Sequence, residues 1–556
     1  MEFKIISSIE RILETTSDRQ AAEPALKETK QIENQRKPAA GRRKLGEAWL
    51  SETHPALFKR IFIFGVFEGD ESSFLKNKNL KKFDFIYKRL KQLDFKAKRG
   101  KSALIESPIL SLVHGLGKKN KFSYDSIRYF VSSSLKIAKT NKIKEAVFII
   151  PELSEEYRLE NGLLYVSSAI VEGALLGLYE FKKYKTKDGE INSKSAGDFK
   201  LVRVYFDAVK IDKNRRKKIK EGFNFGKITS QAANFARDIA NEPGNVATPE
   251  YLANIAREIS VKEKMWCEVF DEKEIVERGM LSFYGVAQGS KNPPRFIHLI
   301  YKPKSPKSGT KKENIKKIAI VGKGVTFDSG GLSLKPADFM TTMKSDKSGA
   351  CAVLGVMKYI PDLDLDIEIH GIIAACENMP DGGAQRPDDI VKALNGKTIE
   401  IENTDAEGRL TLADALTFAE NQGVKEIIDM ATLTGACVVA LGEYTSGVMG
   451  NDEGLMNSII KTSLVSGERM WKLPFDDNMK EKLSSPVADV KNVGNKYGGA
   501  ITAGMFLEEF VSEKVKWCHI DIAGPAFTKT GFTYNPKGAT GVGVRTMLYY
   551  LTQDKV

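Results

Sequence analysis

Two stretches of this 556-residue chain concentrate the residue types that do chemistry. In ENTDAEGRL (Glu402–Leu410), Asp405, Glu407 and Arg409 stand at alternate positions directly after the apolar-alternating segment 397–401. In GKGVTFDSGGLSLKPADFMTTMKSDKSGA (Gly322–Ala350), Lys323, Asp328, Lys335 and Asp346 are spread among glycines. Two readings are open for the first stretch. Acidic residues are favoured in the first turn of a helix, and a helix over 410–421 would suit them; alternatively the carboxylates form a metal or catalytic site. The second stretch invites a phosphate loop, because glycines let backbone approach a ligand. That reading fits poorly: Gly396-Lys397-Thr398 has the tail of a Walker A loop, but Val391 stands where its first glycine belongs.

Together the stretches supply three aspartates, one glutamate, two lysines and an arginine. Crowded carboxylates repel one another, and divalent cations are the economical remedy. Two cations suit four such carboxylates better than one, and dinuclear sites clamp a water for hydrolysis. The five histidines (His54, His114, His298, His370, His519) lie outside both stretches, and no HExxH motif exists, which argues against a mononuclear zinc peptidase.

The elements that must position these residues follow from periodicity. Strands are expected at 61–66, 146–150 and 201–206, then at 318–321, 367–374, 398–401, 426–431 and 519–522. Helices are expected at 124–139, 164–181, 348–359, 411–421 and 503–513, and Thr248 followed by Pro249 reads as a helix start. The fold class is α/β: an N-terminal α/β domain followed by a C-terminal catalytic α/β domain with a largely parallel or mixed sheet, whose ligands bind beyond the carboxyl ends of the strands. Residues 1–55 are expected as a polar, flexible arm, with structure beginning near Arg60. Residues 56–215 form the first domain and 216–556 the second, with a linker within 207–230.

Composition bounds the remaining classes. The chain carries no run of about 18 apolar residues and no signal-peptide pattern at its start, so cytoplasm is the default location and no membrane partner is expected. Its five cysteines are scattered without CxxC spacing, which excludes a disulfide framework or zinc knuckle. Charge is uneven: residues 1–230 hold 47 Lys and Arg against 29 Asp and Glu, whereas residues 231–556 hold 38 against 43. Basic clusters such as 88–91 and 213–220 are solvated helix faces or a surface for nucleic acid.

The chain resembles the leucyl aminopeptidase family of cytosolic dinuclear metallo-exopeptidases. NTDAEGRL and VGKGVTFDSGGLSLKP carry the resemblance, supported by ENMP, RPDDIV, ATLTGACVVALG, SPVADVKNVG and IDIAGPAF. The resemblance implies that Lys323, Asp328, Asp346 and Glu407 bind the tighter of two metals, and that Asp328, Asp405 and Glu407 bind the more exchangeable one. It further implies Mn²⁺ or Zn²⁺ as the metals, Lys335 as the electrophile polarising the scissile carbonyl, and Arg409 as the seat of a bicarbonate base. Met343, Thr432, Leu433 and Gly435 match positions around the substrate's first residue; core packing is the alternative for Met343 and the ATLTG run. The implied partners are peptides with a free N-terminus, whose amine and first carbonyl meet the metals while a hydroxide held between them attacks, and five further copies in a homohexamer. A dinuclear phosphohydrolase or a nucleic-acid-binding protein remains the competing class. Lys347-Ser348 and the segment 381–385 depart from the family's commoner residues without removing a ligand.

Overall fold

The computed structural model describes residues 1–9, 60–73, 78–106, 109–187, 190–191, 199–207, 209–303 and 315–553. Most of the expected arm lies outside the described residues, but its first residues do not: Glu2–Ile5 is a strand. The chain forms two compact units, Met1–Lys227 and Ile228–Val556.

The first unit is built on six strands: β1 (Glu2–Ile5), β2 (Arg60–Phe67), β3 (Ser102–Ile105), β4 (Ser111–Gly117), β5 (Glu145–Ile150) and β6 (Leu201–Phe206), in the order β1-β6-β5-β2-β4-β3. Every neighbouring pair is parallel except β3 and β4. The central β2 and β5 are buried along nearly their whole length, which is why RIFIFGVF and EAVFII read as continuous apolar runs rather than alternating ones. Helices α1 (Asp84–Gln92), α2 (Tyr124–Thr140) and α3 (Glu160–Gly177) pack with this sheet. A capping box between Ser123 and Ser126 starts α2, whose Ile127, Phe130, Val131, Leu135 and Ala138 recur at helical spacing and enter the core. The next helix, α4 (Lys213–Asn241), contains the division between the units, so the segment read as a linker is largely helical.

The main sheet of the second unit holds eight strands: β7 (Trp266–Phe270), β8 (Arg295–Tyr301), β9 (Lys317–Asp328), β10 (Glu368–Asn378), β11 (Glu426–Ala431), β12 (Ser446–Gly450), β13 (Met470–Lys472) and β14 (Lys516–Asp521). Their order is β13-β12-β14-β11-β9-β10-β8-β7. The four central strands, β14, β11, β9 and β10, are mutually parallel, while β12 and β8 flank them antiparallel. Their carboxyl ends therefore share one rim. Helices α5 (Pro249–Glu263), α6 (Ser348–Tyr359), α7 (Gly408–Asn421) and α8 (Gly435–Leu441) belong to this unit. Thr248 starts α5 by accepting the Tyr251 N–H at 3.3 Å, with Pro249 at the first helical position.

Three further departures from the sequence expectation lie in the second unit. Thr398–Glu400 joins Ile390–Lys392 and Val490–Lys491 in a separate three-stranded sheet. The helix expected at 503–513 spans Gly499–Glu508 and stops early; beyond it, the Ser512 N–H and hydroxyl donate to Glu420. Finally, β9 runs far past the apolar segment 318–321 into the glycine-rich stretch.

Candidate functional site

That extension changes the meaning of two glycines. A Cβ on Gly322 would lie 2.6 Å from the Gly349 backbone, and one on Gly324 would lie 2.7 Å from the Ala374 oxygen. These glycines thus serve close packing of strand against helix and strand, rather than access to a ligand. The consequence is positional: Lys323 is held on a buried strand, and Asp328 ends it at the rim. Beyond Asp328, Gly330 (φ 90°) and Gly331 (φ 65°) turn the chain back, and the Lys335 N–H donates to the Ser329 oxygen at 2.9 Å. The turn returns Lys335 to Asp328, with Nζ 2.8 Å from Oδ2.

The other stretch meets this one at the start of α7. Glu407 occupies the N-cap position, but its side chain caps nothing. The helix-capping reading of the acidic cluster therefore fails for Glu407. Instead its Oε1 lies 2.7 Å from Lys323 Nζ, which is also 2.7 Å from Asp346 Oδ2 and donates to the Thr432 oxygen at 2.9 Å. Lys335 pairs with Asp405 as well as Asp328. Two ammonium groups thus stand between two pairs of carboxylates, and oxygens of Asp328, Asp405 and Glu407 lie within 4.8 Å of one another.

Burial decides the electrostatics. Lys323, Asp328, Asp346 and Glu407 are each at most 5% exposed, while Asp405 and Lys335 are half-buried. Burial, reinforced by the Asp328 charge, pushes the Glu407 carboxyl up to about 8. Burial likewise raises Asp346 and Asp405. Burial opposes the Lys323 and Lys335 ammoniums, yet the surrounding carboxylates outweigh it and raise both above the ordinary lysine value. Asp346 Oδ2, Asp405 Oδ1 and Glu407 Oε1 are buried and accept no hydrogen bond of good geometry; their close neighbours are the lysine nitrogens. Four acidic groups with only two lysine ammoniums among them are short of positive charge. Hard oxygen donors in that state fit divalent cations.

A surrounding layer fixes the cluster. Asn378, at the end of β10, donates through its side-chain amide to Asp328 Oδ1 at 2.9 Å and to the Thr404 oxygen at 3.0 Å. The Thr404 hydroxyl donates to the Gly330 oxygen at 2.7 Å and accepts the Ser333 N–H at 2.8 Å. Asn492, fully buried, accepts the Glu402 N–H at 2.9 Å and donates to the Asn403 oxygen at 2.7 Å, while its own carbonyl accepts Arg409 Nη1 at 2.8 Å. Neither Asn378 nor Asn492 was named from sequence; both lie in motifs quoted for the resemblance, ENMP and SPVADVKNVG, which were the available signal.

The residues expected around the substrate are placed unevenly. The Thr432 hydroxyl donates to Asp346 Oδ1 at 2.7 Å, so Thr432 touches the cluster itself. Met343 opens the short 3₁₀ turn Met343–Lys347 that carries Asp346. Leu433 packs against the core of the unit, and its N–H donates to Asp521 at 3.2 Å. Gly435 is exposed at the first turn of α8. Among the described histidines, His519 bonds Asp429 at 2.6 Å and His298 bonds His370 at 2.9 Å, away from the cluster carboxylates.

Comparison with known proteins adds the following. Residues 234–548 match the catalytic domain of the cytosol aminopeptidase family, and residues 63–188 match its N-terminal domain. A probable cytosol aminopeptidase of Persephonella marina is 51% identical over 442 residues, covering 79% of this chain and 84% of the relative. One from Aquifex aeolicus is 50% identical over 475 residues, covering 84% and 90%. Among solved structures, a tomato leucine aminopeptidase mutant superposes with a TM-score of 0.78 at 33% identity, covering 89% of this chain and 94% of that one. The bottromycin maturation enzyme BotP in complex with Mn gives 0.74 at 30% identity, covering 89% and 99%.

Proposed function

The chain belongs to the cytosol aminopeptidase family, and on that premise we propose that it releases leucine and similar N-terminal residues from peptides, with two divalent cations held by the cluster around Lys323 and Glu407. The family itself supports metal-dependent aminopeptidase activity. What carries the finer reading is the set of buried carboxylate oxygens that accept no hydrogen bond of good geometry and are paired only with lysine ammoniums.

In this reading Lys323, Asp328, Asp346 and Glu407 would hold one cation, and Asp328, Asp405 and Glu407 would hold the other. Lys323 must give up its proton to serve as a ligand. The cations, Mn²⁺ or Zn²⁺, would supply Lewis acidity, lowering the pKa of the attacking water and drawing charge from the scissile carbonyl. Lys335, paired here with Asp328 and Asp405, would donate to the developing oxyanion once cations take over those carboxylates. Arg409 has Nη1 committed to Asn492 but keeps Nε unpartnered and buried, and it is the proposed seat for bicarbonate as the base. Met343, Thr432, Leu433 and Gly435 would border the substrate's first residue, with Thr432 also orienting Asp346.

A cytoplasmic homohexamer is the proposed form. The relatives' names support the location, and no helix among the described residues is long and apolar enough to cross a membrane. Light scattering that gave a fully active monomer at all concentrations would reject the hexamer. The function itself is tested by offering a leucyl chromogenic amide, its N-acetylated form and a phosphomonoester side by side. The expected result is Mn²⁺- or Zn²⁺-dependent turnover of the free-amine amide alone, abolished by chelation. Equal turnover of the acetylated substrate would remove the free-amine requirement and with it the proposal.

A further inference from the structure

Asn378 lies at the carboxyl end of β10, outside both stretches that supply the acidic cluster, yet its side chain touches both. One amide N–H points at Asp328 Oδ1 (2.9 Å) and the other at the Thr404 oxygen (3.0 Å). Both partners are acceptors only, a carboxylate and a backbone carbonyl, so the amide must present its nitrogen to them and its orientation is fixed by chemistry. The Asn378 carbonyl is engaged as well, accepting the Ser329 N–H at 3.0 Å and the Ser329 hydroxyl at 2.8 Å. The residue is 4% exposed. It therefore ties together the end of β9, the end of β10 and the loop leading into α7.

The tie has a directional consequence. Asp328 Oδ1 already accepts the Gly330 N–H at 2.9 Å, and the Asn378 amide is its second donor. Two donors on one oxygen hold the carboxylate plane, whose rotation is otherwise soft. The other oxygen, Oδ2, is turned into the cluster, 2.8 Å from Lys335 Nζ. On the far side, the bond to the Thr404 carbonyl holds the residue directly before Asp405. Thr404 is clamped through its hydroxyl to Gly330 and Ser333. Among these ties, Asn378 alone bonds both the Asp328 carboxylate itself and the backbone directly before Asp405. We propose that Asn378 is a positioning residue which sets the spacing and orientation of Asp328 and Asp405, and through them the affinity of the site for divalent cations. The proposal rests on the metal-binding reading above.

Two substitutions separate positioning from bulk stability. Asn378→Asp keeps the shape but turns a donor into an acceptor facing Asp328 and the Thr404 carbonyl. Asn378→Ala removes the side chain and keeps the backbone carbonyl that Ser329 uses. Mn²⁺ is titrated calorimetrically into metal-stripped wild type and both variants, and hydrolysis of a leucyl amide is followed at saturating Mn²⁺. Groups that orient metal ligands typically contribute about 10- to 100-fold in affinity or activity. The expected outcome is Mn²⁺ affinity weakened by about that factor in both variants, with kcat lowered at least about tenfold and KM for the amide within about threefold of wild type. Variants that bind Mn²⁺ and turn over like wild type, and differ only in melting temperature, would overturn the proposal and leave Asn378 as a structural brace. A wild type that itself neither binds Mn²⁺ nor hydrolyses the amide would instead overturn the functional reading on which it rests.

Discussion

At the scale of single residues, the decisive feature is that Lys323 and Arg409 each have one place to be. Lys323 Nζ sits within 2.7 Å of both Asp346 and Glu407, and a Cβ on Gly408 would come 2.5 Å from Lys323 Cε. There is no room for a guanidinium, and an arginine cannot become a neutral ligand. Lys323→Arg is therefore expected to bind one metal equivalent where wild type binds two, measured by elemental analysis after gel filtration; retention of both would contradict the ligand assignment. Arg409 presents a different case, because part of it is structural: Nη1 braces Asn492, which in turn pins the backbone of Glu402 and Asn403. If cations engage Asp328, Asp346, Asp405 and Glu407 as proposed, none of the cluster's carboxylates is left to act as the base. Loss of a proton shuttle costs about 10²- to 10⁴-fold in rate. Arg409→Ala is expected to keep both metals while kcat drops at least about tenfold, and bicarbonate is expected to stimulate wild type in carbonate-depleted buffer. A variant with wild-type kcat would reduce Arg409 to its bond with Asn492.

At the scale of elements, the short turn carrying Asp346 is held by two lysines. Lys347, fully buried, donates to the oxygens of Glu242 and Lys344, and Lys344 donates to the Asn241 oxygen at 2.7 Å. Asn241 ends α4, so both ammoniums meet the carbonyl-rich, partially negative end of that helix. The turn needs holding, since Thr342 before it adopts φ 82°, a costly conformation for a β-branched residue. Lys347→Met would remove the charged donor shared by the oxygens of Glu242 and Lys344, a loss of about 1.5–3 kcal/mol. The expected loss in urea unfolding is of that order, and an unchanged midpoint would show that Lys347 holds nothing. Asp414 on α7 performs a similar task, accepting the N–H groups of Phe283 and Leu394, each at 2.8 Å. Burial pushes its carboxyl up to about 7. As pH rises from about 4, the ordinary aspartate value, the unfolded chain loses this proton first and the folded chain keeps it, so this group's contribution falls until about pH 7 and is level above. The stability difference between wild type and Asp414→Asn, followed from pH 4 to 8, is expected to move against wild type across that window; a flat difference would mean that Asp414 is already ionised at pH 4. These two lysines and this aspartate also show where sequence reading stops. The central parallel strands and α6 were legible because burial on both faces leaves a continuous apolar signature, as in Ile318–Val321. Strands outside that parallel core were not: β7, at one edge, is mostly half-exposed and β12, next to the other edge, contains two glycines, so neither carries a strong period. The acidic cluster was legible because its ligand types are rare inside proteins, whereas Asn378 and Asn492 act through ordinary amides whose importance depends on what they face.

At the scale of the whole molecule, the uneven charge is the feature that peptide hydrolysis leaves unused. Residues 1–230 carry 47 basic against 29 acidic side chains. The two basic clusters in that region are not equivalent once folded. The run at the start of α4 is met by acids of its own: Arg215 lies 3.6 Å from Asp212, and Lys217 and Lys218 lie 3.9 and 3.5 Å from Glu221. On α1, Lys88, Arg89 and Lys91 are exposed, while Ile86 and Leu90 anchor the opposite side in the core. Such an arrangement is either an ordinary solvated helix face or a contact for a polyanion, and the two differ in salt dependence. Binding to duplex DNA through phosphates releases counterions, so log K falls against log salt with a slope of about −0.9 per phosphate neutralised. If α1 makes such contacts, the intact protein is expected to shift a short duplex at low salt. The variant carrying Lys88→Glu, Arg89→Glu and Lys91→Glu should bind more weakly with a shallower slope, while hydrolysing a leucyl amide like wild type, because none of the three touches the acidic cluster. An absence of any shift at low salt would leave the charge of α1 to solvation alone, and a shift unaltered in the variant would move the contact to another basic face.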